Sequence, residues 1–171
     1  FLNNHGSPRK YVYASRDRID EVTDRQRAVR DARFKYIRSY YPEVPGGHPL
    51  NYRDNLDMAR AWRRAFESGD LNAVQARWFK PAGSEQLFDL LEDPYEVVDL
   101  ARDPAHTATL TRLRRQLDNF LHQVGDTSRE SEIELRARFR PQNKQPSTPA
   151  PTAKWQDNRL HLNSPVGASI G

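Results

Sequence analysis

The chain of 171 residues has no cysteine and a single methionine. Without thiols, a disulfide framework, a thiolate zinc site, an iron–sulfur cluster and a cysteine nucleophile are all excluded. The redox compartment stays open, because a thiol-free chain suits any. Core-forming residues are also scarce: 36% of positions are hydrophobic, against about 45–50% apolar, by a near-equivalent count, in average soluble domains. No uncharged apolar run approaches the roughly 18 residues that a membrane span needs. Neither sign of charge dominates, since 27 Lys and Arg face 23 Asp and Glu, for a net charge of +4. The resulting pI of about 9.5 permits acidic partners without requiring one. The sequence opens on Phe1 without a signal peptide and closes on Ala168-Ser169-Ile170-Gly171 without a polar tail. The expectation is a piece of a larger protein, with part of its core on residues outside this chain.

What is present divides by pattern. Tyr11-Val12-Tyr13-Ala14 is aromatic and β-branched, which predicts a strand. Arg27 to Arg30 and Arg33 to Arg38 flank Asp31-Ala32, a joint suited to a hairpin, and Phe34 and Tyr36 alternate with Arg33, Lys35 and Arg38. Tyr40 to Pro49 reads as a Pro-punctuated loop. From Asp54 the period becomes helical: Leu56, Met58, Ala59, Trp62, Ala65 and Phe66 share a face, with Gly69 at the stop. A shorter helix is expected over Ala73 to Phe79, a strand over Gln86 to Leu90, and a turn at Glu92-Asp93-Pro94. The clearest helix follows Asp103-Pro104, where Asp is the N-cap and Pro sits at N1. Its stripe is Leu110, Leu113, Leu117, Phe120, Leu121 and Val124, and Gly125 ends it. A weaker helix fits Glu130 to Phe139. Residues 1–140 are read as one domain portion, 141–152 as a Pro-rich linker, and 153–171 as a truncated β module with strands over Ala153 to Leu162 and Val166 to Ile170.

Chemistry is sparse. None of His5, His48, His106, His122 and His161 stands three or four residues from another, so no metal site is expected from them. No phosphate-cradling glycine loop and no Gly-x-Ser-x-Gly occur. The segment Ser15 to Glu21 packs two guanidiniums and three carboxylates together. Arg16 and Arg18 could meet an anionic group, while Asp17, Asp20 and Glu21 orient them or bind hydroxyls; a solvated ion network of little energetic weight is the plainer alternative. Basic residues interleaved with aromatics over the first 40 positions could serve nucleic acid, but the interspersed acids fit an edge hairpin better. Neither nucleic acid nor a membrane is therefore expected as a partner.

The run Gln86-Leu87-Phe88-Asp89-Leu90-Leu91-Glu92-Asp93-Pro94-Tyr95-Glu96-Val97-Val98-Asp99-Leu100 resembles the closing motif of sulfatases, Glu-Leu-Tyr-Asp-Leu-x-x-Asp-Pro-x-Glu-x-x-Asn-Leu. Gln86, Phe88 and Asp99 depart from it. Leu87, Leu90 and Leu100 read as apolar anchors, and Glu96 as an acceptor of nearby backbone N–H groups. Arg27 to Arg38 and Tyr13 to Glu21 are similar to the branch containing heparan N-sulfatase. The resemblance covers about residues 8–126 and implies an α+β fold: a small antiparallel sheet packed against a long helix, the C-terminal subdomain of an alkaline-phosphatase-like α/β enzyme. It implies hydrolysis of sulfate esters or sulfamates, of a glycosaminoglycan-like sulfated carbohydrate or a small sulfate ester. The formylglycine and calcium it implies would lie in a missing N-terminal catalytic domain, the chain's expected partner, leaving the fragment inactive. The nearest serine form of the formylglycine motif, Ser147-Thr148-Pro149-Ala150-Pro151, has Pro where Arg is needed and is rejected. Arg16, Asp17, Arg18, Asp20 and Glu21, taken as a loop after the first strand, are the candidate substrate-binding residues at the rim. The resemblance suggests a periplasmic or secreted protein. Pro149 to Gly171 is similar to the start of a fibronectin-like domain. The alternative reading is a non-catalytic module binding anionic glycan or nucleic acid.

Overall fold

The computed structural model describes residues 9–127, 129–144, 152–156 and 159–163. The chain divides into two compact units, residues 1–128 and 129–171. The first is an α+β unit built on strands β1 (Val12–Ile19), β2 (Val22–Arg30), β3 (Phe34–Ser39) and β4 (Glu85–Asp89), antiparallel throughout and ordered β1-β2-β3-β4. Helices α1 (Asp57–Glu67) and α2 (Ala73–Ala76) lie between β3 and β4, and α3 (Thr107–Val124) follows β4.

Register decides which side chains meet. Tyr13, Val29, Tyr36 and Leu87 form one row across all four strands. The next row, Ala14, Ala28, Ile37 and Gln86, points to the opposite face, because side chains alternate along a strand. The first row meets Leu110, Leu113 and Leu117 of α3, and Val29, Tyr36, Leu87 and Leu113 are fully buried. Tyr13 stacks on Phe120 with ring centroids 3.7 Å apart. Asp103 caps a 3-10 turn at Pro104–His106 by accepting from the Ala105 N–H at 2.9 Å, and Gly125 ends α3 at φ 64°. Val124 departs from the expected stripe: it is 55% exposed, since the chain beyond α3 meets the sheet through Asp126 and Arg27 instead.

Polar contacts fix the helix against the sheet. Arg114 donates to both oxygens of Glu85 at 2.8 and 2.7 Å, and the Tyr36 hydroxyl donates to Glu85 Oε1 at 2.5 Å. Burial, reinforced by that carboxylate, pushes the Tyr36 phenol up to about 12. At the β2–β3 turn Asp31 Oδ1 accepts from the N–H groups of Arg33 (2.9 Å) and Phe34 (2.7 Å), confirming the polar joint.

The α1–α2 segment has its own aromatic packing. Trp62 stacks on Trp78 and Phe66 on Phe79, with centroids 6.0 and 4.7 Å apart. Gly46 and Gly47 lie flat against these rings: a Cβ on Gly46 would stand 2.8 Å from Trp78, and one on Gly47 2.6 Å from Phe79. Met58 is 73% exposed and Leu56 50%, so neither joins the face expected of them; the rings of Trp62 and Phe66 set which side of α1 packs.

The motif after β4 works differently from the expectation. Glu96 accepts no backbone N–H there; its oxygens are both 2.6 Å from Lys35 Nζ. The acceptors are Asp93, for Val98 N–H at 2.7 Å, and Asp99, for Leu87 and Ala101 N–H at 3.0 Å each. Leu100 N–H donates to Leu87 O at 2.8 Å and its side chain joins the core.

In the second unit, α4 (Glu132–Phe139) starts from a Ser131–Glu134 capping box. The single strand expected over Ala153 to Leu162 is instead two antiparallel strands, β5 (Thr152–Gln156) and β6 (Arg159–Asn163). The expected strand at Val166 to Ile170 and the segment Ser147 to Pro151 lie outside the described residues.

Two outcomes follow for stability. Leu113→Ala should cost about 2–5 kcal/mol in denaturant unfolding, whereas Val124→Ala should stay within about 0.5 kcal/mol. The folded Tyr36 pKa, about 12, lies above its ordinary value of 10.0. Its stabilisation is therefore complete below about pH 10 and is lost as pH rises through about 12. Tyr36→Phe should remove that alkaline decline in a pH series of melting curves.

Candidate functional site

The segment read as a loop is mostly strand. Arg16, Asp17 and Arg18 belong to β1, and only Asp20 and Glu21 form the turn to β2, with Asp20 at φ 47°. Asp tolerates this left-handed geometry better than most residues. Pairing passes from Arg16↔Gln26 to Arg18↔Thr23, so Asp24 and Arg25 together oppose Asp17. This is a β-bulge, and it breaks the alternation that would send one of two adjacent residues outward. Asp24 and Arg25 are both buried, as is Arg27.

Burying these charges requires partners. Arg16 pairs with Asp24. Asp17 Oδ1 lies 2.8 Å from the Arg27 guanidinium and 3.3 Å from Arg25 Nε. Arg27 Nε donates to Asp126 Oδ2 at 2.7 Å, and its Nη1 donates to the carbonyls of Arg16 and Gln26 at 3.1 and 2.8 Å. Burial works against the Arg27 charge, but the bonds to Asp126 and Asp17 outweigh it and leave the pKa raised. Glu21 accepts from the Asn51 N–H at 2.9 Å, and that bond chiefly holds its carboxyl below the usual range. Of the five candidate residues, Arg16 pairs with Asp24, Asp17 with Arg27 and Glu21 with the Asn51 N–H, and Arg18 and Asp20 are exposed.

The other sheet face carries an arrangement that sequence reasoning missed. A groove of about 540 Å³ lies over Gln26, Ile37 and Gln86 and is lined also by Trp62, Trp78, Tyr95 and Glu96. Arg16, Lys35, Arg77 and Lys80 line it, with Glu96 as the one carboxylate. Arg77 donates to the carbonyls of Glu96 and Val97 and covers the Phe88 ring. Trp78 is 43% exposed and Tyr95 87%. The aromatic content of α1 and α2 was visible, but nothing in their spacing announced that they meet the sheet.

Among the described residues there is no group of three or more His, Asp or Glu placed to hold a metal ion. The calcium ion implied by the resemblance does not fit them. Among these residues no helix is long and apolar enough to cross a membrane.

No family model matches the chain. It is 37% identical over 166 residues to the ulvan-active sulfatase of Formosa agariphila, a match covering 95% of this chain. The same match spans 28% of that relative's length. Two solved structures align with 74% of this chain and 19% of their own, at a TM-score of 0.46: a candidate sulfatase of Bacteroides thetaiotaomicron VPI-5482, 21% identical, and a 2-O GAG sulfatase, 20% identical. That likeness is too low to carry an argument.

Asp126→Ala removes one carboxylate from the buried Arg27 guanidinium. It should destabilise the first unit by about 3 kcal/mol, in the range for breaking a buried pair, read by denaturant unfolding against Asp118→Ala, whose pair with Arg38 is half-exposed.

Proposed function

We propose that this chain is the C-terminal portion of a sulfatase acting on a sulfated saccharide. The supporting observation is the 37% identity to the ulvan-active sulfatase through 95% of the chain, combined with the 28% of that relative which the chain spans. The hydrolytic apparatus, with its formylglycine and calcium, is assigned to the remaining polypeptide, which packs beside this unit. Hydrolysis adds water across the S–O bond of an ester, or the S–N bond of a sulfamate, releasing sulfate and the free alcohol or amine. The order of the Tyr13 to Glu21 and Arg27 to Arg38 segments supports the heparan N-sulfatase branch as the finer assignment. A sulfated polymer substrate fits a periplasmic or secreted enzyme.

Within this reading the β1–β2 hairpin end stands at the rim. Arg18 and Asp20 are its exposed groups, and Arg16, Asp17 and Glu21 hold their geometry. Arg18 contacts an anionic sugar substituent by charge-assisted hydrogen bonds, and Asp20 accepts from a hydroxyl. A non-catalytic glycan-binding module would share this surface and differ in releasing no sulfate.

Sulfate release by the full-length polypeptide, followed by ion chromatography over a panel of sulfated saccharides and an aryl sulfate, separates the two. The expected result is release by the full-length protein and none by residues 1–171 alone. Arg18→Ala should raise KM for the saccharide by about threefold. Absence of release across the whole panel overturns the proposal.

A further inference from the structure

We propose that the groove between the open sheet face and the α1–α2 segment binds a stretch of anionic polysaccharide. The inference rests on the sulfatase reading for the choice of a sugar polymer, and on the groove itself for the rest.

Charge comes first. Lys35 pairs with Glu96, the carboxylate that lines the groove, and Arg16 with the buried Asp24, so Arg77 and Lys80 supply the net positive charge of the lining. Arg77 donates two of its five N–H groups to backbone carbonyls, which leaves its charge uncancelled. Lys80 is exposed on the rim. A concave surface lined by one sign of charge concentrates the opposite charge within it. Sulfate and carboxylate groups are the anions that such N–H donors recognise.

The aromatic groups then select a sugar over other polyanions. Tyr95, 87% exposed, and Trp78, 43% exposed, both line the groove. These rings offer an apolar body with a polar edge, which suits pyranose rings that carry C–H faces and hydroxyls together. The floor adds the Gln86 amide, a donor and acceptor for hydroxyl groups. Single-stranded nucleic acid needs free ring faces in series for base stacking. Here Trp78 is stacked on Trp62 and lies against the Gly46 backbone, so much of its surface is already used. An acidic peptide would use the cations but leave the rings without partners.

The wall is built to stay in place. Gly46 and Gly47 let the backbone approach the Trp78 and Phe79 rings more closely than any side chain would allow. Arg53 and Arg63 donate to the carbonyls of Gly46 and Gly47, both at 3.1 Å. A groove with a fixed wall loses little freedom on binding.

The test uses the full-length polypeptide in native gels containing heparin, dextran sulfate, uncharged dextran, poly-glutamate or single-stranded DNA. Tyr95→Ala and Lys80→Glu are suitable variants because both side chains are exposed; unchanged melting temperatures confirm the fold, and Lys80→Arg serves as the conservative rescue. The expected result is retardation by heparin and dextran sulfate but not by dextran, weakened about fivefold in affinity by each variant and retained in Lys80→Arg. Equal retardation by poly-glutamate or single-stranded DNA overturns the proposal, as does retardation that Tyr95→Ala and Lys80→Glu leave unchanged. Wild-type turnover of the aryl sulfate keeps the two readings apart: its absence removes the sulfatase assignment, while variant-sensitive retardation still establishes the groove.

Discussion

Three leucines of α3 against one cross-strand row hold the first unit together. Tyr13, Val29, Tyr36 and Leu87 come from four different strands, and Leu110, Leu113 and Leu117 cover them from a single helix. With only 36% of its residues hydrophobic, the chain has little else to bury. Burial of these side chains supplies the energy, at roughly 25 cal/mol per Å². Bonds around the margin supply orientation: Arg112 to Asp31 at 2.7 Å, Arg114 to Glu85 at 2.7 Å, Arg38 to Asp118 at 2.6 Å, and Gln116 to the Tyr13 hydroxyl at 2.8 Å. Exposed pairs of this kind contribute little individually, yet together they allow α3 one register on the sheet.

Everything on the reverse face follows from that commitment. With Tyr13, Val29, Tyr36 and Leu87 turned toward α3, the adjacent row on the opposite face is Ala14, Ala28, Ile37 and Gln86, and Phe88 lines the groove beside it. Small residues at its centre leave a hollow, and the charges beside it come from rows that could not be buried. The long connection between β3 and β4 then raises an aromatic wall over part of this surface. The groove is a product of topology, with its floor on the strands and its wall on the connection between β3 and β4.

Legibility in the sequence tracked how local the determining physics is. The α3 helix was readable because its cap, its apolar period and its terminal glycine lie within one stretch from Asp103 to Gly125. The β2–β3 hairpin was readable because Asp31 signals its own turn. The full length of β1 was not, since Arg16, Asp17 and Arg18 lack the apolar alternation that marks a half-buried strand. Their place in the sheet depends on the bulge at Asp24 and Arg25, and on Arg27 reaching Asp126, 99 positions away. Charged residues in the Arg16 to Glu21 segment were found as candidates, but the buried partners that hold Arg16 and Asp17 were not. The stacked tryptophans were visible as residues and invisible as a pair.

Asp99 shows what the motif after β4 is for. Its Oδ1 accepts the N–H of Leu87 in the last strand and that of Ala101 in its own turn, while Leu100 N–H closes on the Leu87 carbonyl. Only a short side chain ending in an acceptor oxygen is needed there, which asparagine offers as well as aspartate. An exchange between the two conserves the hemming of that sheet border, whereas glutamate or glutamine, longer by a methylene, would carry the oxygen past both amides. The sulfatase-like signature at this position is thus a seam in the architecture and carries no information about which bond is cleaved.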